Sequence, residues 1–267
     1  MKKDETNSKM NINDIDSISI ALQCDAEFIY DLKVDALGKY LDYTIYQTSK
    51  SVAYLRKLLI QGADSTGNFF FVAKQNSKVV GYYHAVHCRS ELFLNYIVVK
   101  EEFRRLGLGK KLLNHYETLA GTLSCITLAL DVFESNTDAF TWYCKEGYVP
   151  NSVKTLTSLA LGWNGRCLHA MDFDLAAWRS SCQEEHDLGF SKIVCSCGPG
   201  KFTLGLIAGH VCKLLSFDGI DISEAIAAIN NRLSGTRDTL IISSQEIPAD
   251  LPLIATSTVI HFIKHID

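Results

Sequence analysis

Six consecutive residues, Arg104-Arg105-Leu106-Gly107-Leu108-Gly109, combine two cations with two glycines. They stand between an apolar run ending at Val99 and an amphipathic segment from Lys110, so the spacing predicts a strand, a loop and the first turn of a helix. A helix's first turn presents backbone N–H groups without intrahelical partners, together with the positive end of its dipole. Glycines ahead of that turn let the backbone approach an anion, because no Cβ intrudes, and Arg105 and Lys110 add charge. The ligand implied carries a pyrophosphate.

A second ordered set follows: Leu130-Asp131-Val132, then Asn136, Ala139, Tyr143 and Gly147-Tyr148. Asn136 stands where a helix cap belongs, and Tyr143 is two helical turns further along, on the same face. A phenol with a pKa of about 10 is neutral at pH 7 and able to donate a proton. Strict alternation over Cys125 to Val132 sends Asp131 to the strand face opposite Leu128 and Leu130. Glu134 is a competing carboxylate in the following loop.

Together the two sets resemble the GNAT superfamily of acetyl-CoA-dependent N-acetyltransferases, and within it the ribosomal-protein-alanine N-acetyltransferase subgroup. The likeness runs over roughly Ile15 to Leu175. It implies an α/β (α+β) fold with a mixed central sheet, flanked by helices and splayed open between the strands ending at Val99 and Val132. It also implies direct transfer of the acetyl group of acetyl-CoA to a primary amine, on a small molecule or a protein. In this resemblance the main chain of Ile97, Val98 and Val99 binds the pantetheine and the acetyl carbonyl. Arg104, Arg105, Leu106, Gly107, Leu108, Gly109 and Lys110 wrap the pyrophosphate, and Asn136 contacts the cofactor arm while capping its helix. Tyr143, at the position of the family's tyrosine, would protonate the departing thiolate.

Asp131 falls where the subgroup carries a glutamate base, but it is shorter by one methylene. A carboxylate of pKa about 3.9 is a poor match to an amine of about 7.8 to 10.4, so as a base it needs burial or an intervening water. Because the transfer is direct, Cys144 beside Tyr143 is expected to pack rather than react. Phe93, Asn95 and Phe140 would set the width of the opening and so the length of the acyl group. A different class of function, a GNAT fold that binds acyl-CoA as a sensor without transferring it, fits the same residues.

Other elements must position these groups. Asp25, Phe28, Ile29, Leu32, Ala36 and Leu37 have helical spacing with Asp25 as cap and Gly38 as stop; Val52, Leu55, Leu58 and Leu59 form a second helix ended by Gly62. Phe69 to Lys74, Val79 to Arg89 and Glu91 to Val99 read as an antiparallel meander, followed by helices over 110–120 and 136–146. Strands at Tyr148 to Leu156 and Arg166 to Asp174 close a domain of residues 15–175, behind a polar leader of residues 1–14. A polar stretch from Leu175 to Gly189 is expected to be the boundary. Residues 190–267 read as a smaller α/β domain, possibly a degenerate half of the same fold, with strands at Phe202 to His210, Val211 to Phe217, Thr239 to Glu246 and Thr256 to Lys264. Its helix is announced by a capping box, Asp221-x-x-Glu224. The acids of Phe217-Asp218-Gly219-Ile220-Asp221 would repel a pyrophosphate, so no second cofactor site is expected there.

Composition narrows the classes. Lys and Arg number 26 against 30 Asp and Glu, giving −4 with no extended basic stripe, which disfavours nucleic acid as a partner. No apolar run approaches the roughly 18 residues that cross a bilayer, and the first sixteen residues lack the apolar core of a secretion signal. Nine cysteines, an odd count, are then expected as reduced thiols of a cytoplasmic protein, which leaves homodimerisation open. Cys182, His186, Cys195, Cys197, His210 and Cys212 lack the Cys-x2-Cys pairs of zinc modules, so no metal is expected. Gly198-Pro199-Gly200 reads as a turn, and His84 and His87 as polar groups of a core or cleft.

Overall fold

The computed structural model describes residues 17–163, 168–244, 251 and 253–266. The expected leader at 1–14, the first two residues of the strand expected at Arg166 to Asp174 and the last two at Thr239 to Glu246 lie outside them. The described residues form two compact units that are not sequential: one takes in 17–36, 56–130 and 265–266, the other 37–55 and the described part of 131–264.

The first unit is built on β1 (Ser17–Ile20), α1 (Ala26–Leu37), most of α2 (Ser51–Thr66), β2 (Asn68–Gln75), β3 (Lys78–Cys88), β4 (Glu91–Val99), α3 (Leu108–Thr122) and the start of β5 (Thr127–Phe133). Its strands run in the order β1-β2-β3-β4-β5, antiparallel except for the parallel pair β4 and β5. The apolar stripe of α3, Leu108, Leu112, Leu113, Tyr116 and Ala120, is buried against this sheet. Close approach requires Gly81 on β3, where an added Cβ would lie 3.2 Å from Leu112 and 3.1 Å from the Val98 carbonyl. The Tyr116 hydroxyl donates to the Leu92 carbonyl at 2.5 Å, tying α3 to β4. Two sequence expectations change here. Asp25 does not cap α1; its carboxylate accepts the Leu22 N–H and pairs with Lys74 at 2.8 Å, because a buried carboxylate is drawn to the nearest cation. Gly62 (φ 74°) kinks α2 rather than ending it, and the helix resumes to Thr66.

The second unit contains α4 (Thr137–Lys145), β6 (Val149–Ala160), β7 (Met171–Asp172), α5 (Leu175–Leu188), β8 (Phe190–Cys197), β9 (Gly200–Ile207), β10 (Val211–Asp218), α6 (Ile222–Leu233), β11 (Thr239–Ser244) and β12 (Leu253–His265), with sheet order β12-β6-β11-β10-β9-β8-β7. An antiparallel meander β8-β9-β10 followed by α6 and a parallel β11 repeats the succession β2-β3-β4-α3-β5. The stretch from Leu175 expected as a boundary is helix α5. Asp174 caps it through the Ala177 N–H at 2.6 Å and Gly189 (φ 77°) stops it, signals outweighed by its polar composition. The preceding strand shrinks to Met171–Asp172, and β8, which no expectation covered, follows α5 directly. The expected capping box of α6 is half formed. Asp221 accepts the Ser223 N–H, but Glu224 turns away to accept the Leu168 and His169 N–H groups.

One ion pair of this unit is fully enclosed. Arg237 donates through Nη1 and Nη2 to the two carboxylate oxygens of Glu185, both at 2.6 Å, and Glu185 also accepts the Gly209 N–H at 2.9 Å. Their side chains are 5% and 4% exposed, so removing one partner strands a charge out of water. Arg237→Met should therefore lower unfolding stability by about 3 to 5 kcal/mol in urea titrations, whereas the double change Arg237→Met with Glu185→Leu should recover most of it.

Candidate active site

The strand, loop and helix expected around residue 104 form, with the helix starting at Leu108 rather than Lys110. Gly107 is its cap residue, at φ 88° and ψ 0°, and Arg105 is also left-handed at φ 61°. Both curl the loop back over the helix end. Three other helices close their first turn with a side chain: Asn136 on Ala139 N–H at 3.2 Å, Asp174 on Ala177 and Asp221 on Ser223. At α3 no side chain does so, no acid stands in the first turn, and Lys110 and Lys111 follow. Cations at the positive end of a helix dipole are unfavourable by themselves, and an anion seated there reverses the sign.

The strand leading into this loop has a bulge. Ala85 pairs with Leu94 and His84 with Tyr96, leaving Asn95 as the extra residue of β4. On the other edge the parallel pairing with β5 runs from Glu91 and Thr127 to Leu94 and Leu130, and stops at the same place. Lys100 N–H donates to the Val80 carbonyl at 2.9 Å, so in an antiparallel ladder Val98 also spends its backbone groups on β3. Ile97 and Val99 direct theirs to the edge that β5 has left. Arg104 Nε occupies the Val99 carbonyl at 3.0 Å and fixes the loop to the strand end. Of the three residues expected to offer main-chain groups, Ile97 and Val99 have the right orientation and Val98 does not.

The remaining expected residues lie in the second unit. Tyr143 is 6% exposed, packed edge-on to Tyr148 (ring centroids 5.6 Å apart) and beside Phe262. Burial pushes its phenol well above the ordinary range, so it stays protonated through neutral pH. Asp131 is held, not free: its Oδ1 lies 2.7 Å from His261 Nδ1 and its Oδ2 3.8 Å from Lys154 Nζ. Glu134 is exposed, and its backbone N–H donates to Thr258. His261 is the functional candidate that sequence reasoning missed. It lies 130 residues from Asp131 and carries no local signal; only the pairing of β12 along β6, with His261 opposite Ser152, brings it there.

Cys144, expected to pack, is exposed. Cys195 and Cys212 are buried, and burial pushes both thiols up to about 12. Among the described residues no group of three or more His, Cys, Asp or Glu is placed to hold a metal, and no helix is long and apolar enough to cross a membrane.

Residues 40–148 match the acetyltransferase (GNAT) family. Three solved structures share the architecture over almost the whole chain. A GCN5-related N-acetyltransferase from Sphaerobacter thermophilus is 15% identical with a TM-score of 0.62, covering 96% of this chain and 97% of its own. A tandem GNAT protein from the clavulanic acid biosynthesis pathway is 11% identical with a TM-score of 0.61, covering 93% and 98%. A GCN5-related N-acetyltransferase from Kribbella flavida is 11% identical with a TM-score of 0.57, covering 96% and 72%. No curated protein matches the chain. The fold is a GNAT fold. Every residue expected for the site, from Ile97 to Tyr143, falls inside the matched segment; His261 falls outside it.

An uncapped α3 in a GNAT fold makes a direct prediction. Valine at position 107 would have to adopt φ 88° and would set a branched side chain over the first-turn N–H groups. Acetyl-CoA at a hundredfold excess over Kd should stabilise the wild type by about 2.7 kcal/mol, and Gly107→Val should erase that gain in a thermal-shift titration. A full ligand-induced shift in the variant would remove the phosphate-loop assignment.

Proposed function

We propose that the protein is a cytoplasmic N-acetyltransferase that moves the acetyl group of acetyl-CoA to a primary amine by direct transfer. The observation carrying this reading is the coincidence of an uncapped, lysine-flanked helix N-terminus with a strand edge to which the Ile97 backbone groups and the Val99 N–H are turned where β5 departs. The residues fit the co-substrate. Arg105 to Lys110 hold the pyrophosphate with backbone N–H groups and charge, while Ile97 and Val99 receive the pantetheine amides and the thioester carbonyl. Asn136 contacts the cofactor arm while its Oδ1 caps α4.

In the transfer, the amine nitrogen forms a bond to the thioester carbon, the carbon–sulfur bond breaks, the amine loses a proton and the thiolate gains one. Tyr143, kept protonated by burial, donates to the thiolate. Asp131 does not act as a lone carboxylate base. Its hydrogen bond fixes His261 with the proton on Nδ1, which makes Nε2 the accepting nitrogen, and His261 takes the amine proton. The alanine-acetyltransferase likeness makes a protein α-amino group the first acceptor to try. The second unit, whose strand and helix order repeats that of the first, serves as a degenerate copy of the GNAT fold with the α6 N-terminus stoppered by Asp221.

Release of CoA thiol from acetyl-CoA, followed with an alanine-started peptide, lysine and spermidine as acceptors, tests the transfer; a protein that binds acetyl-CoA and transfers to no amine is a sensor. Tyr143→Phe removes one hydroxyl and keeps the ring packing. Its single-turnover rate should fall by about 10² to 10⁴ while acetyl-CoA affinity changes only a few fold, and an unchanged rate reduces Tyr143 to packing. His261→Gln should lower kcat/KM by about 10² to 10⁴, and Asp131→Asn should lower it by releasing the imidazole. If His261→Gln keeps the wild-type kcat/KM, the base is water.

A further inference from the structure

In the first unit a chain of hydrogen bonds runs from a backbone carbonyl to the extra residue of the β4 bulge, and its polarity is fixed at every step. Asn68 Nδ2 donates to the Thr66 carbonyl at 2.9 Å, so Asn68 Oδ1 is the atom turned toward His84. That oxygen lies 2.8 Å from His84 Nε2 and can only accept, so Nε2 carries the proton. His84 is 4% exposed, stacked on Phe70 at 4.0 Å, and held well below the ordinary imidazole range, first by burial and then by Lys33. A neutral imidazole protonated at Nε2 accepts at Nδ1. The group 3.2 Å from Nδ1 is Asn95 Nδ2, which therefore donates.

With its nitrogen committed to His84, the Asn95 carboxamide presents Oδ1 on its other branch. Asn95 is exposed and makes no other side-chain hydrogen bond among the described residues. It is also the residue at which β4 parts from β5, two positions before Ile97, whose backbone groups face the vacated edge. An oriented acceptor at that point suits a ligand bearing N–H donors. Behind it His84 is neutral, and burial holds Lys33, wholly enclosed with Nζ 3.8 Å above the Tyr96 ring, well below the ordinary amine range.

We propose that Asn95 is a substrate-binding residue whose Oδ1 accepts an N–H of the acceptor's primary amine, and that Asn68 and His84 are positioning residues that keep the oxygen outward. This inference rests on the acetyltransferase reading and adds the acceptor contact to it. No proton passes through the chain, because a carboxamide does not exchange protons in such a relay; its work is orientation.

The test has two arms on the full-length protein. Using the amine that the acceptor panel shows to be turned over, Asn95→Leu should raise the amine KM at least tenfold, with kcat reduced by no more than about threefold and the acetyl-CoA thermal shift unchanged. His84→Phe keeps the stack on Phe70 and lets the carboxamide turn, so a smaller rise in amine KM is expected, again with acetyl-CoA binding intact. An amine KM equal to wild type in Asn95→Leu overturns the proposal while leaving the acetyltransferase reading in place. The second arm needs no turnover. Nitrogen-15 NMR should show His84 as the Nε2–H tautomer, and titration of n-butylammonium into the protein with CoA should move the Asn95 side-chain amide signals. A His84 protonated at Nδ1, or Asn95 signals indifferent to the alkylammonium, overturns the proposal. Absence of transfer to every amine together with a responsive Asn95 sinks only the catalytic reading and leaves an amine site.

Discussion

Two strands that run parallel and then part leave backbone N–H and C=O groups on the facing edges without their ladder partners. In this protein the parting coincides with one extra residue. Asn95 bulges out of the β3 ladder at the same position where β4 loses β5, so Ile97 and Val99 turn polar backbone toward an edge without a strand. Such an edge has to be answered by something that pairs as a strand does. A ligand with amide groups along an extended arm does so, and the uncapped α3 N-terminus one loop later suits the anionic end of the same ligand. Gly81, the α3 leucines and the Tyr116 hydroxyl serve this geometry by holding α3 flush against β3 and β4.

The two units treat their helix N-termini in opposite ways, and the difference is a single residue type. Gly107 leaves the first-turn N–H groups of α3 without a side-chain partner, whereas Asp221 satisfies α6 internally. Satisfying a cap contributes about 1 kcal/mol to a fold, so leaving one open forgoes stability at the place where binding needs it. The second unit instead spends its polar groups on itself: the enclosed Glu185 and Arg237 pair, and Glu224 turned toward the 168–169 backbone. The same strand and helix order thus carries an open helix end in one unit and a capped one in the other.

Titratable groups divide along the same lines. His84 and Lys33 are buried, and desolvation holds both well below their ordinary ranges, which suits hydrogen-bond polarity at His84 rather than charge. Asp131 and His261 are paired at 2.7 Å and only partly covered. Tyr143 is enclosed by other rings, and that enclosure keeps its phenol protonated through neutral pH.

Local signals in the chain determined much of this. The glycines at 107 and 109, the arginines before them, the α3 stripe and the Asn136 to Tyr143 spacing each act within one turn or one strand, so composition and periodicity expose them. The caps at Asp174 and Gly189 were equally local, yet α5 was obscured because a polar helix with a weak apolar stripe reads as a linker. Three features were decided by tertiary structure alone. The Asp25 carboxylate pairs with Lys74 on β2, the Asn95 bulge arose from register against β3, and His261 reached Asp131 across 130 residues through β12. Each depends on which strand lies beside which and in what register, and a long-range pairing leaves no trace in the short-range spacing of residues along the chain.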